Sequence, residues 1–172
     1  RAAGSVASSI SARTRVHVKE TARIMAIKRI TPFLWYDGKA LEAAKFYGKI
    51  FKKSKIHSAS AFSVTFELDG QMFYALNGGP NFTFNEAVSF FVTCKDQKEV
   101  DYYWTRLLKD GGEPSRCGWL KDKFGLSWQI VPKALGECLN GKDKVGARRA
   151  MEAMMHMGKL DVKKLKDAYA GR

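Results

Sequence analysis

Phe33-Leu34-Trp35-Tyr36 and Phe90-Phe91-Val92-Thr93 stand 57 positions apart, and the residues that follow each obey the same pattern. Glu42 meets Glu99, Ala43 meets Val100, Phe46-Tyr47 meets Tyr103-Trp104, and Ile50-Phe51 meets Leu107-Leu108. Each segment reads as an apolar strand followed by an amphipathic helix, with apolar residues at i, i+3, i+4, i+7 and i+8. A period near 57 is too long for a solenoid, which stacks three or more short units. Two copies of one strand-helix-strands unit, packed as a pseudo-dimer within the chain, account for it better. Such a fold has a cleft along its symmetry axis, where equivalent positions of the halves can be compared.

Outward from the repeat, the first unit reads as a strand over 30–36 and a helix over 39–51. Strands follow over 55–60, 61–68 and Gln71–Asn77, the last two joined by Asp69-Gly70, a strong hairpin signal between apolar runs. Asn77-Gly78-Gly79-Pro80-Asn81 must be a loop, because Gly-Gly-Pro cannot continue a ladder. The second unit repeats the order: a strand over 87–94, a helix over 97–110 ended by Gly111-Gly112, and strands over 117–120 and 126–131. One strand of this unit has no clear pattern. Past Pro132 the pattern is helical, and Met151, Met154, Met155 and Met157 read as packing residues. The fold class is therefore α+β, two tandem βαβββ modules (28–81 and 85–132) with a helical tail over 133–172.

The chain of 172 residues suits one domain and has apolar content enough for a core, at 45% hydrophobic. No apolar run approaches the ~18 residues that span a bilayer. Three cysteines, Cys94, Cys117 and Cys138, without CxxC pairing, read as reduced thiols of a cytoplasmic protein. Of the net charge of +13, residues 1–29 hold seven Lys or Arg against Glu20, which leaves the folded part moderately basic. Its lysines are spread along helices as a solvated surface, so a nucleic-acid partner is not expected. Residues 1–24, rich in Ala, Ser and Arg, read as a disordered basic extension ahead of the domain at 25–172. Upstream translated or vector sequence, a transit peptide and a basic arm compete as its origin; the first fits best, with Met25 as the natural start.

Alternate residues of a strand share a face. An offset of 57 on the first strands puts Pro32, Leu34 and Tyr36 opposite Ser89, Phe91 and Thr93 on the cleft side. An offset of 55 on the last strands, anchored by Gly70 on Gly125, puts Met72, Tyr74 and Leu76 opposite Ser127, Gln129 and Val131. Four symmetry-related positions then floor the cleft: Pro32, Tyr74, Ser89 and Gln129. Leu34, Tyr36, Tyr74, Leu76, Phe91 and Gln129 would line it, with Asn77, Phe82, Phe84 and Trp119 at the rim. Apolar walls with a few polar points suit a small organic ligand. The same side chains also suit the packed interface of a homodimer.

Several stretches resemble one family: residues 30–38, 75–80, 85–92 and 117–132, the last reading Cys117-Gly118-Trp119-Leu120-Lys121-Asp122-Lys123-Phe124-Gly125-Leu126-Ser127-Trp128-Gln129-Ile130-Val131-Pro132. They are similar to the PhnB-like group, also known as 3-demethylubiquinone-9 3-methyltransferase-like domains. That group belongs to the vicinal-oxygen-chelate superfamily of glyoxalase I, bleomycin-resistance proteins and extradiol dioxygenases. The resemblance implies the glyoxalase fold over residue 30 to the C-terminus. It also implies that the four floor positions are those where metal enzymes of the superfamily carry His, Glu or Gln ligands.

Here those positions are Pro, Tyr, Ser and Gln. Pro has no donor atom, and Ser and a neutral phenol are poor ligands for a borderline divalent ion. The site is read as degenerate, with no metal and no cofactor. Methyl transfer finds no glycine-rich strand-to-helix turn for a methyl donor, since Gly78-Gly79-Pro80 precedes a strand-like segment. Ser127, Cys94 and Cys117 lack a paired base, and Glu86 and Asp122 read as turn acids. The reading favoured is a metal-independent, homodimeric small-molecule binding protein. The alternatives are an enzyme, methyltransferase-like or a glyoxalase-type lyase or isomerase, that uses Tyr74 and Gln129, and a nucleic-acid-associated module acting through Arg148, Arg149, Lys159, Lys163 and Lys164.

Overall fold

The computed structural model describes residues 30–172. The basic extension at 1–24 and the Met25 start lie outside the described residues. Phe33–Arg172 forms one compact unit; Ile30–Pro32, which have no regular structure, fall outside it. The first strand, β1, runs Phe33–Tyr36 rather than starting at residue 30. Pro32 has no N–H to give a ladder, which favours a start just after it.

Helix α1 (Ala40–Ile50) follows, then β2 (Ser54–Ala59), β3 (Ser63–Leu68) and β4 (Gln71–Asn77). The second module contains β5 (Ser89–Cys94), α2 (Gln97–Leu107), β6 (Glu113–Pro114), β7 (Trp119–Lys121) and β8 (Ser127–Pro132). The strand without a clear pattern is β6, a two-residue edge piece too short to show alternation. The sheets have equivalent orders, β1-β4-β3-β2 and β5-β8-β7-β6, each with its first strand parallel to its last. The duplication in the sequence is thus a duplication of topology. At the β3–β4 hairpin Asp69 and Gly70 both take positive φ, 46° and 85°, which is the turn that Asp-Gly favours.

The register corrects the first-strand alignment. Phe33 pairs with Tyr74 and Phe91 with Gln129, so with Tyr74 and Gln129 equivalent the first strands are offset by 58. The helices, at Ala40 and Gln97, keep the offset of 57. The extra residue sits in the strand-to-helix loop, residues 37–39 in one module against 95–96 in the other. A one-residue slip turns every side chain of a strand to the opposite face. Leu34 and Tyr36, expected in the cleft, therefore lie buried against the helix side, and Phe33 and Trp35 take the open face.

One aromatic core joins the modules on their helix sides. Tyr47 of α1 packs on Phe66 of its own sheet and on Trp128 of β8, with ring centroids 6.2 and 5.4 Å away. Phe73 meets Phe90 edge-on at 5.1 Å, and Phe51 stacks on Tyr103 at 5.3 Å. The tail helices α3 (Lys133–Leu139), α4 (Lys144–Met155) and α5 (Val162–Ala170) make a second small core. There Val131, Leu135, Leu160 and Leu165 pack with Met154 and Met157. Met151 and Met155, expected to pack as well, are exposed.

Candidate functional site

Two open sheet faces carry the candidate side chains. On the first, Phe33 and Tyr74 are 61% and 43% exposed, and their rings lie 6.3 Å apart. Trp35 and Leu76, paired in register, are half-buried on the same face. The indole N–H of Trp35 donates to the Gly79 carbonyl at 2.8 Å, and Phe82 meets the ring edge-on at 5.0 Å. A side chain at Gly78 would collide with that indole, which explains a glycine there. The loop 78–82 thus folds over Trp35 and fixes one border of the face.

On the second face, Phe91 is 58% exposed beside Ser89 and Gln129. Gln129 Nε2 donates to Ser89 Oγ at 2.9 Å, which leaves the amide oxygen of Gln129 without a partner from this pair. Trp119 of β7 pairs with Gln129 and shares its face. Beside it Lys121, Glu86, Glu113 and Ser127 border a recess of about 350 Å³. Lys121 and Glu86 form an ion pair of 2.6 Å, and the hydrogen bond that the Lys121 ammonium donates holds the Glu86 carboxyl below its ordinary range.

Other expected site residues have different employment. Tyr36 is buried, its hydroxyl 3.2 Å from that of Tyr47, and burial raises its pKa far above that of a free phenol. Asn77 caps α1 from outside the helix, accepting from Ala40 N and donating to the Ala61 carbonyl, both at 2.9 Å. Phe84, expected at the rim, packs on Tyr36 at 5.2 Å. Pro32 falls outside the compact unit. Of the predicted set, Tyr74 and Leu76 share one open face, and Phe91, Trp119, Ser89 and Gln129 share the other.

Asp122 does cap the turn before the last strand, as a turn acid would, but it is also buried, 2% exposed, and accepts four hydrogen bonds. Tyr47 Oη and Trp128 Nε1 donate to Oδ2 at 2.8 Å each, and the backbone N–H groups of Phe124 and Leu126 donate to Oδ1 at 2.8 and 3.1 Å. Because the Tyr47 proton goes to Asp122, Tyr36 donates to Tyr47. Burial pushes the Asp122 carboxyl above the ordinary range, against the lowering effect of those bonds. This chain of groups ties α1 of one module to the β7–β8 turn of the other. The nearby donors Tyr47 and Trp128 were visible in the sequence, but their convergence was not.

A divalent ion does not fit the positions that the fold family would use. The open faces offer a phenol, a hydroxyl and one amide, and phenylalanine stands at the two first-strand positions that the register pairs. Among the described residues no group of three or more His, Cys, Asp or Glu could hold a metal ion. His57 is engaged with Glu67 at 3.2 Å, and His156, whose backbone N–H closes the C-terminus of α4, stands in the helical tail away from both open faces. The described strand-to-helix turns also differ from the glycine-rich turn of a doubly wound methyl-donor fold. The first strand-to-helix turn is closed by Asn77 at the helix N-terminus, and neither sheet is doubly wound. The cysteines are free; burial pushes the Cys94 thiol up to about 12.

Two βαβββ modules of equivalent topology, each with one open sheet face, define a glyoxalase-type fold. The profile of the 3-demethylubiquinone-9 3-methyltransferase family matches residues 28–131. The chain belongs to that family, the PhnB-like group of the glyoxalase, bleomycin-resistance and dioxygenase superfamily. The PhnB protein of Bacillus cereus, which carries the same methyltransferase name, is 35% identical, with a TM-score of 0.58 over 61% of this chain and 99% of that one. A protein of Pseudomonas aeruginosa shares the fold at 15% identity and a TM-score of 0.50, over 60% of this chain and 96% of its own. A glyoxalase-related enzyme of Fulvimarina pelagi aligns at 14% identity and 0.45, over 60% and 88%. No curated protein matches the chain.

Proposed function

We propose that the chain is a small-molecule binding protein that works as a homodimer and holds its ligand without a metal ion. The observation that supports this best is the contrast between the two uncovered faces. One is aromatic, with Phe33, Trp35 and Tyr74; the other offers a positioned amide and hydroxyl, Gln129 and Ser89. A planar organic ligand with a ring and a hydrogen-bond donor group matches the pair, the ring against the aromatic side and the donor on the Gln129 carbonyl. The free thiols agree with a cytoplasmic setting. No helix among the described residues is long and apolar enough to cross a membrane.

Thermal-shift screening of the purified chain with quinones, aromatic antibiotics and glutathione conjugates tests the reading. At least one compound should raise the melting temperature, and Tyr74→Ala and Gln129→Ala should each abolish most of that rise. If no compound stabilises the protein, or both variants respond like the parent, the reading fails. Elemental analysis of the same protein must find no stoichiometric divalent metal. A bound ion at one per chain would return the enzyme alternative to first place.

A further inference from the structure

Residues 43–66 hold five lysines and one histidine and not a single Asp or Glu. Three of these lysines, Lys45, Lys49 and Lys55, border one recess of about 270 Å³ between α1 and the edge strand β2. Lys52 and Lys53 stand on the turn between those elements. Some lysines elsewhere find carboxylates, such as Lys95 with Glu99, Lys121 with Glu86 and Lys123 with Glu42, and others, such as Lys98, Lys109 and Lys133, do not. Among the described residues none of the five lysines of this segment has an ion-pair partner; the one acid at the recess, Glu67, is the cross-strand neighbour of Lys55 and meets His57 at 3.2 Å.

Two ordinary reasons could place lysines here. Cations near the C-terminus of α1 offset the helix dipole, and lysine on an edge strand deters pairing with other chains. Neither explains why lysines of both helix and strand border the same hollow, nor why that hollow is kept open. Gly48 lies in its wall, inside a helix, where glycine costs about 1 kcal/mol relative to alanine. A Cβ at Gly48 would meet only Ser54 Oγ at 3.8 Å, an ordinary contact, so the fold does not demand glycine. The missing side chain instead widens the recess. Ile56 supplies an apolar wall at one side.

We propose that this recess binds a small organic phosphate monoester. The dianionic group would lie among Lys45, Lys49 and Lys55, and its organic part against Ile56. Lysine acts on phosphate as a point charge without the planar fork that arginine offers carboxylates, and every cation here is lysine. This site lies between α1 and the edge strand β2, away from Tyr74, Phe91 and Gln129, so it stands or falls independently of them.

Phenyl phosphate is the probe, titrated into the full chain and followed by amide NMR at constant ionic strength, with phenol as the uncharged control. The expected result is saturable shifts centred on Gly48, Lys49 and Lys55, and none with phenol. The double variant Lys49→Gln/Lys55→Gln should weaken binding about tenfold or more, the scale of a lost charge-assisted contact. Gly48→Leu should block binding with every charge retained. Both sets of changes lie on the surface, and circular dichroism confirms the fold; the lysine pair decides if Gly48→Leu misfolds. Shifts spread evenly over all lysines, unchanged affinity in the double variant, or a single-stranded DNA oligonucleotide that binds and is not displaced by phenyl phosphate would each overturn the proposal.

Discussion

Asp122 bears more on stability than any candidate ligand residue. Its two oxygens accept two side-chain and two backbone donors, and an amide could accept only with its single oxygen. Asp122→Asn would turn an NH₂ group toward at least one pair of donors and leave them unsatisfied. The expected loss is about 2–5 kcal/mol in urea unfolding, against about 1–2 kcal/mol for Tyr47→Phe, which removes one donor. The pH dependence has a definite sign. Burial raises the folded carboxyl above its unfolded value, so the folded chain binds that proton more tightly. Its contribution is full below the unfolded value and is lost as pH rises through the folded one. The gap between parent and Asp122→Asn should therefore widen as pH falls from neutrality into the carboxylate range. A gap that narrows on acidification would show that the buried carboxyl is held down, not up.

At the level of elements, the loops 37–39 and 95–96 decide which strand residues meet solvent. Leu34 is buried and Phe33 is not, although Phe33 is the larger apolar residue. Leu34→Ala should cost about 2–4 kcal/mol by creating a cavity under α1. Phe33→Ala, on the open face, should cost less than about 1 kcal/mol. Equilibrium unfolding of the two variants measures the strand's facing directly, and the opposite ranking would restore the 57-residue offset. The order of elements and the Asp69-Gly70 hairpin were legible in the sequence because their signals are local: period 3.6, period 2, and a dipeptide that needs positive φ. The strand's facing was not, because a repeat carried by helix residues sets the offset of the helix, and one loop residue uncouples it from the strand. Tyr74, Phe91, Ser89 and Gln129, expected to floor or line a cleft, share the sheet faces that lack helices, as the alternation along β4, β5 and β8 dictates. The burial of Asp122 escaped because it depends on Tyr47, which lies 75 residues away in sequence.

For the whole molecule, the two candidate faces and the core have exchanged the roles that the repeat suggested. The contacts that join the modules, Tyr47–Trp128, Tyr47–Asp122 and Phe73–Phe90, lie on the helix sides, and Phe33, Tyr74 and Phe91 are left to solvent. Exposed aromatics of this size on sheet faces are costly in isolation, at roughly 25 cal/mol for each Å² that a partner could cover. In the proposed homodimer a second copy of the chain would be that partner, and it would bring an aromatic face and an amide-bearing face within reach of one ligand. Sedimentation velocity should accordingly find a mass near twice that of the 19.3 kDa chain, falling toward one chain on dilution. Phe33→Lys combined with Phe91→Lys should give a monomer with unchanged far-ultraviolet dichroism, since neither side chain enters the core. That monomer should also lose the thermal shift caused by any compound that stabilises the parent. A monomeric parent at high concentration would refute the dimer. A monomeric variant that still binds would confine the ligand to one chain's own faces and remove the reason for pairing them across two.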